Sequence, residues 1–519
     1  MSPKSLMGSW LMLANMLIRS AAQDLSETER REPLSALGFE AAPQIQELLR
    51  WLEAHGATWM TGLRVRSLSS VERGLVAIHE LPPNRHGLLD VPIHLTLSGD
   101  ACLQNSSSLT NRIPAHLRDG LARSHGLLHL CFLEHYLLLG NASFFAPYLN
   151  SLPTSLNHLP LLSTLDLSSL LDGSQLLQDI EKHRRDLESL YEEIAWDVPE
   201  FRSLVSLSNF MLTYCMVESH SHARHMGNDT KPLMVPLVDL INHRSAHPNL
   251  RLGWAGPEHL HVNVGKHSVS AGEQLFFKYS DEEESSAKFF KQFGFVDENL
   301  PIGVKIQFPL RRHHPGYIEK RLMFDNALVH TKMMILQQME DGLGGSEYLE
   351  QKVYDFPKFC IWLCGPESSG FRNLHPKVVE EELLPFARFV VFRGSNESLR
   401  SHCDVEHKPP QCNVALPPED EAAAGQFLLD SISEHISKYQ TSAAFDDEEL
   451  AVLTASAPER PYVRIRRDEK HCLGSLEAVV KAIFPSLQGV APKVKPAVPA
   501  RSTAILAEAK QVPVSQVTA

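Results

Sequence analysis

Three short runs of the chain could carry chemistry: two have hydrogen-bonding side chains at the ends of β-like segments, and the third has aromatic ones. Asn242 and His243 close the run 239–243, and Tyr279 ends the apolar run 272–279. The run 289–296 begins with helical spacing and ends in an aromatic-Gly-Phe-Val turn that contains Phe293 and Phe295. Amide, imidazole and phenol groups can bind and orient a polar ligand. Taken singly, each run is also typical of a loop, a turn before a strand, or a core tyrosine.

A histidine-dense segment offers a different chemistry, metal binding. His220, His222 and His225 lie close together, but none of the neighbouring pairs has the i, i+4 spacing of a zinc protease helix. No partner carboxylate motif follows them. A solvated, partly disordered loop is therefore expected here, and no metal site is predicted.

In their order and spacing, the three runs resemble the SET-domain methyltransferases, and most closely the subfamily typified by the Rubisco large-subunit lysine methyltransferase. That subfamily also contains an actin histidine methyltransferase. The resemblance covers roughly residues 40–480. Upstream, it includes the helix end at 51–57, the segment 73–77, the pair Val91-Pro92, and the run 148–153. The Asp-Leu-Ile-Asn-His run and the Gly-Glu-Gln…Tyr run are its specific part.

The resemblance implies S-adenosylmethionine as the methyl donor and a side-chain nitrogen of a protein as the acceptor. Asn242 and the backbone of His243 would hold the donor, with the backbone around Arg73 and Gly74 on its other side; a glycine there lets the main chain approach a ligand closely. Tyr279 would lie at the transfer point and orient the amine. In-line displacement requires this kind of alignment. Phe293 and Phe295 would form the walls of the acceptor channel, where cation–π attraction retains methylated product.

Several positions depart from the family pattern. The opening Gly-x-Gly reads Glu72-Arg73-Gly74, so its first glycine is lost. An arginine that engages the donor carboxylate has no obvious counterpart in the segment 218–225, where Arg224 is the candidate. Phe293 stands where the family usually has a tyrosine. These departures keep two alternatives open: a histidine methyltransferase, and a catalytically impaired SET-fold module that binds a partner protein.

Short β-rich and helical segments must position these residues. β-Rich runs at about 65–105 and 231–280 are separated by a predicted helical insertion at about 110–228, so the two runs must pair across it. An amphipathic pattern at 176–194 predicts a long helix within the insertion. We therefore predict an α+β fold: a SET domain over 31–305, split by the insertion, and an all-α substrate-binding lobe over 306–488. Residues 1–30 are a leader or flexible N-terminus, and 489–519 a disordered tail.

Composition is that of an ordinary globular protein of several domains. Of the 519 residues, 43% are hydrophobic and 21% charged, with a net charge of −13. This charge favours neither nucleic acid nor an anionic membrane surface as a partner, and it suits a basic peptide better. The eight cysteines are spread thinly without a CxxC pair, so free thiols in a reducing compartment are expected. Cys360 and Cys364 are expected on one helix face as buried thiols.

The N-terminal sequence supports two interpretations. Lys4, the apolar run 10–18 and the small residues 20–22 have the outline of a targeting leader, and the same run could form an amphipathic first helix. A leader would direct the chain to an organelle such as a plastid, whereas without one the cytoplasm or nucleus is expected. No other uncharged apolar run is long enough for a membrane span. We expect a monomer that acts on a protein substrate.

Overall fold

The computed structural model describes residues 42–59, 62–68, 73–103, 109–121, 125–226, 229–255, 258–279, 284–323, 358–364, 376–405 and 410–487. The predicted leader, the predicted C-terminal tail and Glu72 lie outside these residues. In the described ranges, no helix combines the length and the apolar character that crossing a membrane requires.

The first described helix shows how local sequence sets an element. Helix α1 (Pro43–Ala54) begins with proline at its first position, where the missing N–H costs nothing. Ile45, Leu48, Leu49 and Leu52 are spaced to share one face, and all four are buried. Their burial contributes about 2 kcal/mol each. Gly56 follows with a φ of 92°, a left-handed conformation that glycine adopts without strain.

Short strands form four small sheets in the described part of the first 280 residues. The strands are β1 (Thr58–Trp59), β2 (Leu63–Ser67), β3 (Arg73–Ala77), β4 (Leu89–Pro92), β5 (Leu97–Ser98), β6 (Ser221–Met226), β7 (Asp229–Met234), β8 (Asn242–His243), β9 (Leu250–Ala255), β10 (His259–Val264) and β11 (Phe276–Phe277). The order β1-β4-β10-β9 gives one antiparallel sheet, β2-β3 a hairpin, β5-β7-β6 a third sheet, and β8-β11 a two-stranded parallel pair. Pairing of β5 with β7 joins segments on opposite sides of the helical insertion.

Helices occupy the chain between β5 and β6. The amphipathic pattern at 176–194 forms a single helix of 23 residues whose N-cap, Ser174, accepts a hydrogen bond from the Leu176 N–H. The helices are α2 (Gly99–Leu103), α3 (Leu109–Arg112), α4 (Ala115–Leu121), α5 (Gly126–Leu133), α6 (Ala146–Leu149), α7 (Leu167–Leu170), α8 (Gln175–Asp197), α9 (Phe201–Leu204) and α10 (Leu207–His220). One further helix, α11 (Ser286–Phe293), follows the last of the small sheets.

The C-terminal lobe is largely helical, but the prediction that it is all-α is wrong. Strands β12 (Val304–Pro309) and β13 (Lys358–Leu363) form an antiparallel pair in it, because alternating burial along β12 places every second residue in the lobe's core. The α+β class itself is confirmed. The helices of the lobe are α12 (Pro376–Val378), α13 (Leu384–Val391), α14 (Asn396–His402), α15 (Pro418–Ile436), α16 (Ala443–Val452) and α17 (Arg460–Ile483).

The cysteines do not behave as predicted. Three disulfides join Cys102 to Cys131, Cys364 to Cys472, and Cys403 to Cys412, while Cys215 is a buried free thiol. Cys360 lies in β13, and Cys364 follows that strand, so the expected helix with two buried thiols is also wrong. Spacing along the chain could not reveal these pairs, because each depends on tertiary contact. Disulfides of this kind are typical of oxidising rather than reducing compartments.

Three apolar clusters hold the molecule together. The largest combines α1, the small sheets and most of the insertion, and a second fills the C-terminal lobe. A third cluster joins them: Leu171 and Ile180 of the insertion pack with Phe290 of α11 and with Tyr462 and Ile465 of α17. The lobe is therefore fixed to the insertion and to α11 by buried apolar contact.

Candidate functional site

The parallel pair β8-β11 brings two of the polar runs together. Asn242 pairs with Phe276 and His243 with Phe277, so segments more than thirty residues apart lie side by side. Tyr279 follows β11 by two residues, and its ring centroid lies 5.1 Å from that of His243. The order and spacing seen in the sequence thus correspond to direct contact.

Asn242 faces the hairpin formed by β2 and β3. Its side-chain Nδ2 donates a 2.9 Å hydrogen bond to the carbonyl oxygen of Arg73. Gly74 packs so closely here that a Cβ on it would lie 2.8 Å from Gln274 Nε2 and 3.1 Å from Asn242 Nδ2. The glycine therefore allows the two segments to touch. Within the described ranges, no group forms a hydrogen bond with the buried Gln274 Nε2, and buried polar groups are usually hydrogen-bonded.

His243 is held from both sides of its ring. Its Nδ1 accepts a 2.9 Å hydrogen bond from the Tyr279 N–H, so Nε2 carries the proton and donates to Asp297 Oδ2 at 2.7 Å. Burial lowers the pKa of His243, and the hydrogen bond to Asp297 opposes that shift. A neutral ring with both nitrogens engaged positions the ends of β8 and β11 and has no nitrogen left to act as a base.

Asp297 can accept the hydrogen bond from the His243 ring as a carboxylate because several other donors surround it. Burial alone would raise the pKa of its carboxyl, but hydrogen bonds from Ser245, Asn299 and His243 outweigh burial and hold the pKa below its usual range. The Asn299 N–H lies 2.8 Å from Oδ1. The carboxylate is therefore ionised and fixed against His243.

The hydroxyl of Tyr279 donates a 2.5 Å hydrogen bond to the carbonyl oxygen of Ile241. That bond directs the phenol toward the residue that precedes β8. The Tyr279 ring lies 5.1 Å from the Phe293 ring. A main-chain carbonyl thus positions the Tyr279 hydroxyl, and the Phe293 ring positions the Tyr279 ring.

Helix α11 and the turn that follows it position Phe293 and Phe295. Its N-cap, Ser285, accepts a hydrogen bond from the Lys288 N–H, and it ends at Gly294, whose φ is 78°. A Cβ at Gly294 would come within 2.4 Å of the His158 ring, so only glycine allows this turn to pack against the insertion. The turn places Phe295 with its ring centroid 5.9 Å from that of His243. Phe293 and Phe295 lie 6.5 Å apart, centroid to centroid, on the Tyr279 side of the site.

A cavity of about 430 Å³ opens beside Tyr279. Apolar and aromatic side chains form much of its wall, and polar groups converge on it, an arrangement typical of small-molecule sites. Among the candidates, Tyr279 and Phe293 line it directly. Its lining also includes Ser219, His220, Ser221, His222, Ala223, Asp239, Pro248, Leu250, Arg251, Leu252, Phe277 and Lys278.

The histidine segment is ordered, contrary to the prediction of a solvated loop. His220 is the last residue of α10, and His222 and His225 lie in β6. Burial lowers the pKa of both His220 and His222 to about 4, so both rings are neutral. Arg224 lies further along β6, beyond the cavity-lining stretch 219–223, and pairs across the strands with Lys231.

The sequence analysis assigned no site role to Asp239 or Tyr148, which contact each other at the cavity. Asp239 lines it, and Tyr148, at the end of the insertion's helix α6, donates a 2.7 Å hydrogen bond to Asp239 Oδ2. Both residues stand within the runs that carry the family resemblance. Their contact spans 91 residues, so no local pattern could pair them.

Away from the cavity, Asp90, His259 and His261 come close enough to hold a metal ion. Asp90 Oδ1 lies 2.7 Å from His259 Nδ1, and Oδ2 lies 3.3 Å from His261 Nε2. Direct contact between these partly exposed side chains of β4 and β10 accounts for the cluster.

Comparison with known proteins covers most of the chain. Residues 325–473 match the family model described as Rubisco LSMT substrate-binding. The N-lysine methyltransferase setd6 of Xenopus laevis is 24% identical over 363 residues, which is 65% of this chain and 72% of the relative.

Solved structures share the fold. The SET domain of LSMT bound to lysine and AdoHcy superposes with a TM-score of 0.63 at 18% identity, covering 86% of this chain and 93% of the other. The structure of Rubisco LSMT bound to AdoMet gives the same TM-score, identity and coverage. At this identity the structural likeness establishes the fold.

Proposed function

We propose that this protein, a SET-domain methyltransferase of the Rubisco LSMT-like family, transfers a methyl group from S-adenosylmethionine to the ε-nitrogen of a lysine in a protein substrate. The observation that carries the proposal is the convergence of Asn242, His243 and Tyr279 at the β8-β11 pair, beside a cavity lined by Tyr279 and Phe293. A catalytically impaired binding module would have no need of this convergence.

The donor side is assigned to Arg73, Gly74, Asn242 and the backbone of His243. Gly74 supplies close main-chain approach, and the neighbouring Gln274 Nε2 is a buried donor that no described residue accepts a hydrogen bond from. These features fit a ligand that has carboxylate, amino and adenine groups to be hydrogen-bonded. Arg224, on β6, is the candidate for the donor carboxylate. When bound, S-adenosylmethionine supplies an electrophilic methyl group on its sulfonium sulfur.

The acceptor side is assigned to Tyr279, Phe293 and Phe295. Tyr279 is held by the Ile241 carbonyl and by Phe293 contact, so its hydroxyl can orient an entering amine without reorganising, which is how preorganised groups lower a barrier. The aromatic walls exclude water and attract a cationic side chain. Phe293 in place of a tyrosine leaves the channel with one hydroxyl fewer.

The substrate is a protein, and we propose that the lobe 306–488 docks it. The family match at 325–473 supports this assignment. We also propose that the enzyme acts as a monomer, since Asn242, His243, Tyr279 and Phe293 contact one another within a single chain. We propose no nucleic-acid or membrane partner, because the net charge of −13 favours neither nucleic acid nor an anionic membrane surface.

Incubation of the purified chain with labelled S-adenosylmethionine and an unmethylated lysate, followed by mass spectrometry, tests the function. We expect label on lysine ε-nitrogens. Absence of transferred label, or label only on histidine, would contradict the assignment.

Tyr279→Phe removes only the hydroxyl that Ile241 and the acceptor share. We expect label transfer to fall about a hundredfold while the dissociation constant for S-adenosylhomocysteine changes less than about threefold, because the lost contact acts on the acceptor. Tyr136→Phe, which lies outside the cavity and stacks on Phe132, is the matched control. Equal losses of transfer and donor binding would exclude the role given to Tyr279.

A further inference from the structure

The four-stranded sheet carries a cluster of three side chains that the proposed methyl transfer does not use. Asp90 lies on β4, and His259 and His261 lie on β10. One carboxylate oxygen and one nitrogen from each ring lie within 4.8 Å of one another. Among the described residues, those that line the cavity beside Tyr279 include none of the three. The cluster is therefore a separate feature of the molecule.

Strand geometry places the three side chains on one face of the sheet. Burial alternates along β10, so Leu260 and Val262 are buried while His259 and His261 are partly exposed on the opposite face. The antiparallel register sets Asp90 directly across from His261. A His-x-His spacing on one strand and a carboxylate on its neighbour thus converge at one point.

The Asp90 carboxylate already contacts both rings. Its Oδ1 lies 2.7 Å from His259 Nδ1, and its Oδ2 lies 3.3 Å from His261 Nε2. The exposed fraction is 41% for the His259 side chain, 27% for His261 and 26% for Asp90, so an ion can reach the cluster from solvent. On the other side of His261, the paired residue of β9 is Gly253, which has no side chain to cover the ring.

The donor set of the cluster determines which ion it fits. Two imidazole nitrogens and one carboxylate oxygen are ordinary ligands of zinc, and a water molecule completes the tetrahedron when the protein supplies three. Calcium and magnesium prefer oxygen ligands throughout. A neutral imidazole carries one proton, which can lie on the nitrogen that faces away from the ion. The cluster therefore suits zinc better than a hard cation.

We infer that Asp90, His259 and His261 bind a zinc ion that joins β4 to β10. His259 Nδ1, His261 Nε2 and one Asp90 oxygen are the ligands, and their bonds to the ion replace the direct contacts between the side chains. Strand β4 precedes the helical insertion and β10 follows it, so Asp90 and His259 are 169 residues apart in sequence. The ion links the two parts of the split domain and stabilises the fold, because it binds the folded chain only.

The first test measures zinc binding by the full chain after metal removal, in competition with a chromophoric chelator. We expect the wild type to bind one zinc ion more than His261→Ala or Asp90→Ala. Loss of a group that only orients a ligand lowers metal affinity about ten- to a hundredfold, so loss of a ligand should cost at least about a hundredfold. The matched control is His267→Ala, an exposed histidine after β10, which should bind zinc as the wild type does.

The second test measures the urea midpoint of unfolding with and without zinc. We expect zinc to raise the midpoint of the wild type and of His267→Ala, and to leave that of His261→Ala and Asp90→Ala unchanged. The midpoints without zinc show that each variant folds, and His259→Gln replaces a variant that does not.

Equal zinc stoichiometry in the wild type and the ligand variants would overturn the site. A wild-type midpoint that zinc does not raise would overturn the link between the strands, and an equal rise with calcium would contradict the choice of zinc. Neither test depends on methyl transfer, so absence of transferred label would contradict the proposed function alone.

Discussion

Asn242 shows how one amide can join two distant segments. Its Nδ2 donates to the Arg73 carbonyl across 169 residues of sequence, and this bond fixes the orientation of the amide. The donor's amino group, as the family resemblance implies, would then meet the side-chain oxygen. In the proposed function, the residue would therefore stabilise the fold and also bind the ligand.

Asn242→Ala removes the amide together with both interactions. We expect the dissociation constant for S-adenosylhomocysteine to rise about tenfold or more, because a hydrogen bond to a charged group contributes about 1.5–3 kcal/mol. Calorimetry measures the change, and Asn150→Ala, at an exposed asparagine, controls for loss of an amide as such. An unchanged dissociation constant would exclude Asn242 from the donor site.

At the scale of elements, the site depends on how β8, β11 and the segment after α11 are held together. His243 accepts from the Tyr279 N–H and donates to Asp297, so one neutral ring connects all three. The two hydrogen bonds also specify the tautomer, since Nδ1 must be without a proton to accept. An ionised Asp297 is what keeps the proton on Nε2.

Asp297→Asn should disturb this connection. An amide N–H opposite His243 Nε2 would favour the other tautomer, which cannot accept the Tyr279 N–H. We expect faster hydrogen exchange at the Tyr279 amide and about a tenfold lower rate of label transfer. Asp186→Asn, an exposed change on α8, serves as the control. Retained exchange protection at Tyr279 would show that the ring does not hold the strand ends.

At the scale of the whole molecule, the lobe is tied to the rest by polar as well as apolar contacts. Ser174, the N-cap of α8, donates a 3.0 Å hydrogen bond to Glu469 on α17, and Arg466 donates to the Leu170 carbonyl at 2.8 Å. Within the lobe, the Cys364–Cys472 disulfide fastens the end of β13 to α17 and closes a segment of 108 residues. The region proposed to dock the substrate is thereby held to the same helix that contacts the insertion.

Reduction of the protein should therefore destabilise the lobe. A cross-link across so long a segment contributes about 4–5 kcal/mol in the chain-entropy description. We expect Cys472→Ser to lower the unfolding midpoint in urea, and dithiothreitol to lower that of the wild type by at least as much. Cys215→Ser, at the free buried cysteine, controls for loss of a thiol. Titration that finds eight thiols in the denatured, unreduced chain would contradict these pairings.

The elements around the candidate site were predictable from sequence where local order and spacing carry the information. The Asn-His run, the strand that precedes Tyr279 and the helix followed by Gly294 all form as local patterns indicate, because turn chemistry and apolar periodicity act within a few residues. The long helix α8 was predicted correctly for the same reason. The α+β class followed from such segments.

Tertiary structure alone decided which distant groups meet. The Tyr148–Asp239 contact, the Asp297–His243 bond, the disulfides and the β12-β13 pair all join residues without any shared local pattern. The burial of His220 and His222 could not be predicted for the same reason. Histidines close together in sequence are typical of a polar loop, and only the surrounding fold shields these two from water. Burial and long-range pairing depend on the whole chain, and they set the charge states on which the chemistry depends.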